Sequence, residues 1–216
     1  VCAHTHEGMQ IISCAMEVVP NPGMPLNHAL IFREALHTII KERNVKLLLA
    51  DRWQSIKLLQ DAELEFDDLI AHQYSLKYDD FWIIKQTMFD SEVVFPKLKR
   101  PIEEILKFDQ SKYPYCLPDP IEHFAVQCVT VRDMGNSIDK GDGLTDDVFR
   151  AACLALYGLQ SEKYAELFDG DFGEEEKISF AAIGHVAGRS SNSGQKSNDV
   201  HMSKSGQAIG VMFSKR

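Results

Sequence analysis

Residues 45–51 read VKLLLAD. The run from Val45 to Ala50 is almost unbroken in apolar side chains, the pattern of a strand buried on both faces in the middle of a sheet. It stops on Asp51. In an open α/β sheet the reactive groups gather where strands end, because loops there can vary without disturbing the core. A carboxylate set directly after buried apolar residues needs a cation, a hydrogen-bond donor or water. A salt bridge to Arg52 or a cap on the helix near Ser55 would satisfy it; so would a metal ion.

The flanking sequence supplies the layers around this strand. Before it, LNHALIFREALHTIIKER (26–43) places Phe32, Leu36, Ile39 and Ile40 on one helical face, and Asn44 follows as a stop. After it, SIKLLQDAEL predicts a helix and LIAHQYSLK a strand, so strand, helix and strand form a crossover unit. Residues 79–91 predict a helix with Asp79 near its start, EVVFP a short strand ended by Pro96, and PIEEILKFD a helical stretch. At the N-terminus, residues 1–6 and 9–19 read as extended segments, the second ended by the turn PNPGMP. Residues 122–133, EHFAVQCVTVRD, alternate like a strand, and the glycine-rich MGNSIDKGDG then reads as a loop. LTDDVFRAACLALYGL (144–159) predicts a long apolar helix with Thr145 as its cap and Asp146 and Asp147 in its first turn. The fold class is therefore α/β, and the domain is expected to span 1–168, with an acidic turn and a flexible basic C-terminal tail over 169–216.

Composition narrows the function classes. With 216 residues and 44% hydrophobic positions, the chain can bury one substantial core. No apolar run approaches the roughly 18 residues needed to cross a bilayer, and VCAHTHEGMQ lacks the features of a signal peptide. Five scattered cysteines without a CxxC pair indicate neither a disulfide framework nor a zinc knuckle, and fit a reducing intracellular setting. A net charge of −9 argues against a simple non-specific nucleic-acid binder, though not against a nuclease that clusters carboxylates around metal ions. The start at Val1, already inside an alternating stretch, implies that a segment upstream is missing.

Adjacent carboxylates at Asp146 and Asp147 repel, and a divalent ion makes the pair tolerable; for an all-oxygen site Mg²⁺ or Mn²⁺ is the natural choice. The competing arrangement is an ion pair between Asp146 and Arg150, which share a helical face. Taken together, LLLADRWQS, VTVRD and DKGDGLTDDVFRAACLALY resemble the nuclease domain of the large terminase subunit of tailed double-stranded DNA bacteriophages. The resemblance runs from the first strands to about residue 165 and is specific at 51–55 and 145–151. It implies a ribonuclease H-like fold, a mixed central sheet flanked by helices on both faces. Asp51 becomes the strand-borne metal ligand and Asp146 the ligand at the start of the last helix, with Asp147 as its close alternate. The family's third carboxylate lies on the first strand, but VCAHTHEGM looks like the second and holds no aspartate. Either the first strand lies upstream of Val1, which is the expectation, or Glu7 or Glu17 substitutes. A centre of two ions about 4 Å apart needs about three such acids.

By the same resemblance, the expected activity is metal-dependent cleavage of concatemeric viral DNA during genome packaging in the host cell cytoplasm. The implied partners are double-stranded DNA, the portal protein, the small terminase subunit and an upstream ATPase domain, with no membrane. No GxxxxGKS/T phosphate loop occurs in this chain. Lys140, Arg52 and Arg132 are candidate phosphate contacts, although such side chains are more often simply solvated. His4 and His6 alternate on a strand without a matching third ligand, and Trp53 is expected to pack under the sheet edge. Two rival readings are a Holliday junction resolvase or other polynucleotidyl transferase of the same fold, and a non-catalytic interaction module whose acids only cap helices.

Overall fold

A hairpin opens the chain: β1 (Cys2–His6) pairs antiparallel with β2 (Met9–Cys14). Only Glu7 and Gly8 lie between the last paired residues, His6 and Met9, and both have positive φ, 51° and 79°. That geometry is a type I′ turn, whose twist matches the strands it joins. No atom lies within 4 Å of a Cβ added at Gly8, so Gly8→Ala costs only left-handed backbone strain. The expected loss is about 1 kcal/mol in urea unfolding; an unchanged midpoint would contradict this.

The computed structural model describes residues 1–15, 27, 30, 33, 36–51, 55–107, 119–140, 146–167 and 179–183. Helix α1 (His37–Glu42) ends as its stop signal requires: Asn44 takes φ 46°, a left-handed conformation that asparagine tolerates, and the chain turns into β3 (Val45–Ala50). Leu47, Leu48 and Leu49 are each at most 1% exposed. Burial of such side chains contributes about 2 kcal/mol apiece. The crossover follows, with α2 (Ile56–Glu65) leading to β4 (Ile70–Gln73), parallel to β3 in the register Leu47↔Ile70 to Ala50↔Gln73. Then come α3 (Tyr78–Phe89), the short β5 (Val93–Val94) and α4 (Ile102–Ile105).

Residues 122–133 depart from the expected strand. They belong to α5 (Pro120–Thr130), followed by a small hairpin of β6 (Arg132–Asp133) and β7 (Ile138–Asp139) where a loop is expected. Asp119 caps the helix by accepting from the Ile121 amide at 3.0 Å, and Pro120 occupies the first turn, where its missing N–H costs nothing. The helix is wedged between two neighbours. Ile121 and Phe124 enter the main core, while Val126 packs on Ile105 of α4. Two apolar faces laid on one helix imitate a strand's alternation.

Helix α6 (Asp147–Gln160) carries the longest buried face, from Val148 to Leu156, and a 3₁₀ turn, Glu162–Leu167, follows. Residues beyond the domain boundary drawn at 168 also join the sheet: Ser179–Ile183 form β8. The strand order is β4-β3-β8-β1-β2-β5. β8 runs parallel to β3, with Ala50 beside Ile183, and antiparallel to β1, with Cys2 beside Ala181. The result is a mixed sheet with a core layer on each face. Leu47 and Leu49 point with Ala3 and Ile12 into the layer shared by α3, α5 and α6; Leu48 and Ala50 point with Cys2 into the layer beneath α1 and α2. Among the described residues no helix is long and apolar enough to cross a membrane.

Candidate acidic site at the carboxyl end of strand β3

Asp51 is half-buried immediately after β3. Ser75, just past the parallel β4, donates its hydroxyl to Asp51 Oδ1 at 2.7 Å, and the Ser55 hydroxyl donates to the Asp51 carbonyl at 2.7 Å. The Tyr74 amide donates to the Ala50 carbonyl at 2.9 Å, extending the ladder past the strand ends. Thus Asp51 sits at the end of the sheet where β3 and β4 both finish. Its expected partner Arg52 lies outside the described residues, as do Trp53, Thr145 and Glu17.

The same end receives the start of α3. Asp80 accepts from the Lys77 amide at 2.7 Å and from the Tyr74 hydroxyl at 2.9 Å, tying the helix's first turn to the end of β4. One residue on, Phe81 stacks on Phe149, ring centroids 6.1 Å apart, and lies under the Arg150 guanidinium at 5.5 Å. The start of α6 therefore rests against the start of α3. At its other end, Gln160 donates to Gln10 of β2 at 3.0 Å and to Thr87 near the end of α3 at 3.1 Å. Tyr157, between these ends, stacks on Tyr74 with centroids 4.2 Å apart. The start of α6 thus meets the start of α3, while its last turns meet Tyr74 just past β4, Gln10 of β2 and Thr87 of α3.

Asp146 and Asp147 open this helix with different surroundings. Asp146 is only 5% exposed and makes no side-chain cap bond; Arg150 donates its Nε to Asp146 Oδ2 at 2.5 Å. The ion pair weighed from the helical spacing is thus present. Asp147, half-buried in the first turn, is the more accessible carboxylate of the two.

Glu7 cannot substitute for the third acid. β1 is antiparallel to β8, which is parallel to β3, so the Glu7–Gly8 turn lies at the opposite end of the sheet from Asp51. His6 sits beside that turn and is exposed, whereas His4 is buried within the strand. The two histidines therefore occupy different environments and form no metal pair. Among the described residues, no group of three or more His, Cys, Asp or Glu is placed to hold a metal ion. The donor chemistry around Asp51, carboxylate and hydroxyl oxygens, suits a hard divalent cation. The donor count does not, and the described residues alone do not fit a two-ion centre.

Comparisons with family models, with curated proteins and with solved structures gave no match to this chain.

The basic candidates Arg132 and Lys140 are both exposed, on β6 and just after β7. Their hairpin is held near the acidic end by Asp133. This carboxylate accepts from the Gly135 amide at 2.8 Å, the Tyr78 hydroxyl at 2.8 Å and Lys85 Nζ at 3.2 Å. These donors, the Gly135 amide first, hold the Asp133 carboxyl below its ordinary range. Sequence reasoning missed Ser75 and Asp133. Ser75 carries no local signal, since only the register of β4 against β3 brings it to Asp51. The Asp-x-Gly spacing of Asp133 and Gly135 is the one trace of that tight turn in the sequence.

Proposed function

We propose that this chain is a divalent-metal-dependent DNA endonuclease domain of the ribonuclease H-like kind, the nuclease part of a large terminase subunit acting on concatemeric double-stranded viral DNA. One observation carries the reading: the central strand β3 runs directly into Asp51, and the two aspartates that open α6 adjoin Phe149 and Arg150, which meet Phe81 in the first turns of α3, the helix entered just past Ser75, which bonds Asp51. On this reading Asp51 and Asp147 contribute ligands for Mg²⁺ or Mn²⁺, and a further acid comes from outside the described residues. Arg132 and Lys140 stand ready for backbone phosphates. The portal protein, the small subunit and an ATPase domain are the partners that the resemblance implies.

The Arg150–Asp146 ion pair favours a second reading, a non-catalytic interaction module in which Asp146 serves packing alone. Supercoiled plasmid incubated with the full chain and Mn²⁺ separates the two. The endonuclease reading expects nicking that falls by about 100-fold or more in Asp51→Asn and Asp147→Asn, at least the loss seen when a ligand's outer-shell partner is removed. A wild-type chain that neither nicks nor binds Mn²⁺ in calorimetry would overturn it. A preference for branched DNA, together with dimerisation, would instead point to a junction resolvase.

A further inference from the structure

The hairpin brings two thiols together at the end away from its turn. Cys2, 1% exposed, stands directly opposite the half-buried Cys14 across the antiparallel ladder. The register slips by one residue between this pair and the next, Ala3↔Ile12, so Ser13 is the extra residue of β2. Its hydroxyl donates to the Cys2 carbonyl at 3.4 Å. The slip sets which way the thiols face. Ala3 and Ile12 enter the core layer beneath α6, whereas Cys2 and Cys14 both belong to the layer beneath α1 and α2. Opposed residues of an antiparallel pair have Cα atoms about 4.5–5.5 Å apart, inside the roughly 4.4–6.8 Å that a disulfide spans. Neither cysteine is in a disulfide here.

We propose that Cys2 and Cys14 form a reversible dithiol–disulfide site whose oxidant is a low-molecular-weight disulfide of the glutathione type. Cys14 is the entry thiol. It is the more exposed of the pair, and the Cys2 S–H donates to its sulfur, lowering the Cys14 pKa and raising that of Cys2. Arg43, just past α1, adds positive charge toward both sulfurs. The Cys14 thiolate attacks one sulfur of the small disulfide, whose S–S bond breaks and releases one small thiolate. That thiolate takes up a proton, and Cys2 gives up its own. The Cys2 sulfur then attacks Cys14 Sγ, and the second small thiolate leaves. Two protein thiols are oxidised and one small disulfide is reduced to two thiols, so electrons and protons balance. Cys153 offers no such route, because burial in the core pushes its thiol well up.

The reduced full chain is incubated with oxidised glutathione, its remaining thiols are blocked with maleimide, and non-reduced digests are mapped by mass. The expected product is a Cys2–Cys14 cross-linked peptide, two hydrogens lighter than the sum of its parts, that reduced glutathione reverses. Cys2→Ser traps Cys14 as a stable glutathione adduct, and in Cys14→Ser the thiol at Cys2 reacts about tenfold or more slowly than Cys14 does. Circular dichroism of both variants checks that they fold; the wild-type map needs neither. Both thiols blocked by maleimide after full oxidation, or a wild-type Cys14 adduct that persists without closing onto Cys2, would overturn the proposal.

Discussion

A chain ending at Leu167 loses its cooperative thermal transition, while the chain ending at Arg216 keeps it. The shorter chain lacks β8, which lies between β3 and β1. Its removal splits one six-stranded sheet into a β4-β3 pair and a β1-β2-β5 group with nothing bonded between them. The loss falls on the most buried part of the molecule, since Leu47, Leu48, Leu49 and Ala3 are each at most 1% exposed. β3 faces β8 from Val45 to Ala50, so several main-chain N–H and C=O groups lose their partners together. Each buried group left unpaired costs about 1–3 kcal/mol, against a total stability of about 5–15 kcal/mol for a domain. Far-UV circular dichroism on heating makes the comparison. A shortened chain that melts as sharply, at the same midpoint, would show that β8 contributes little.

Arg150→Ala lowers stability by about 2–4 kcal/mol, and Mn²⁺ restores part of it. Among the described residues the guanidinium meets Asp146 at 2.5 Å and the face of Phe81 at 5.5 Å. Truncation strands a carboxylate that is 5% exposed, and breaking a buried pair from one side costs about 3–5 kcal/mol. The Arg150 side chain is itself 28% exposed, so water reaches the gap and the lower part of that range applies. The double variant Arg150→Ala/Asp146→Ala regains part of the loss, because no charge is then left without its partner. Urea unfolding with and without Mn²⁺ adds a functional reading. An ion held by the folded chain alone, at about 100 times its dissociation constant, returns about 2.7 kcal/mol. If Mn²⁺ leaves the Arg150→Ala midpoint where it was, the acids at the start of α6 serve packing, and the endonuclease reading loses its main support.

The centre of the fold was legible where one environment controlled a segment. Apart from Lys46, Val45 to Ala50 are buried on both faces and read as an almost unbroken apolar run; the Asn44 stop and the crossover to β4 followed from that strand. Legibility failed where two environments overlapped. α5 answers to α4 on one side and to the main core on the other, and its Phe124–Val126 alternation concealed the Asp119–Pro120 start signal that preceded it. β8 failed for a different reason. Five residues beside a tail rich in Gly and Ser are too few to show a period, and their strand character depends on the open edges of β3 and β1. At the site, the Asp146–Arg150 pair was readable because four residues make one helical turn. The Ser75–Asp51 bond was not, because it depends on register across two strands.

The place of β8 also bears on how the chain assembles. Ala50 and Ile183 are neighbours in the sheet although most of the described chain lies between them in sequence. The crossover and the N-terminal hairpin can form early, but they must wait with bare strand edges until the distant segment threads between them. Closing so long a loop makes folding slow, and unsheltered edges invite pairing between molecules meanwhile. Recovery of this protein on refolding should therefore fall steeply as its concentration rises, with misassembly competing at the gap that β8 fills.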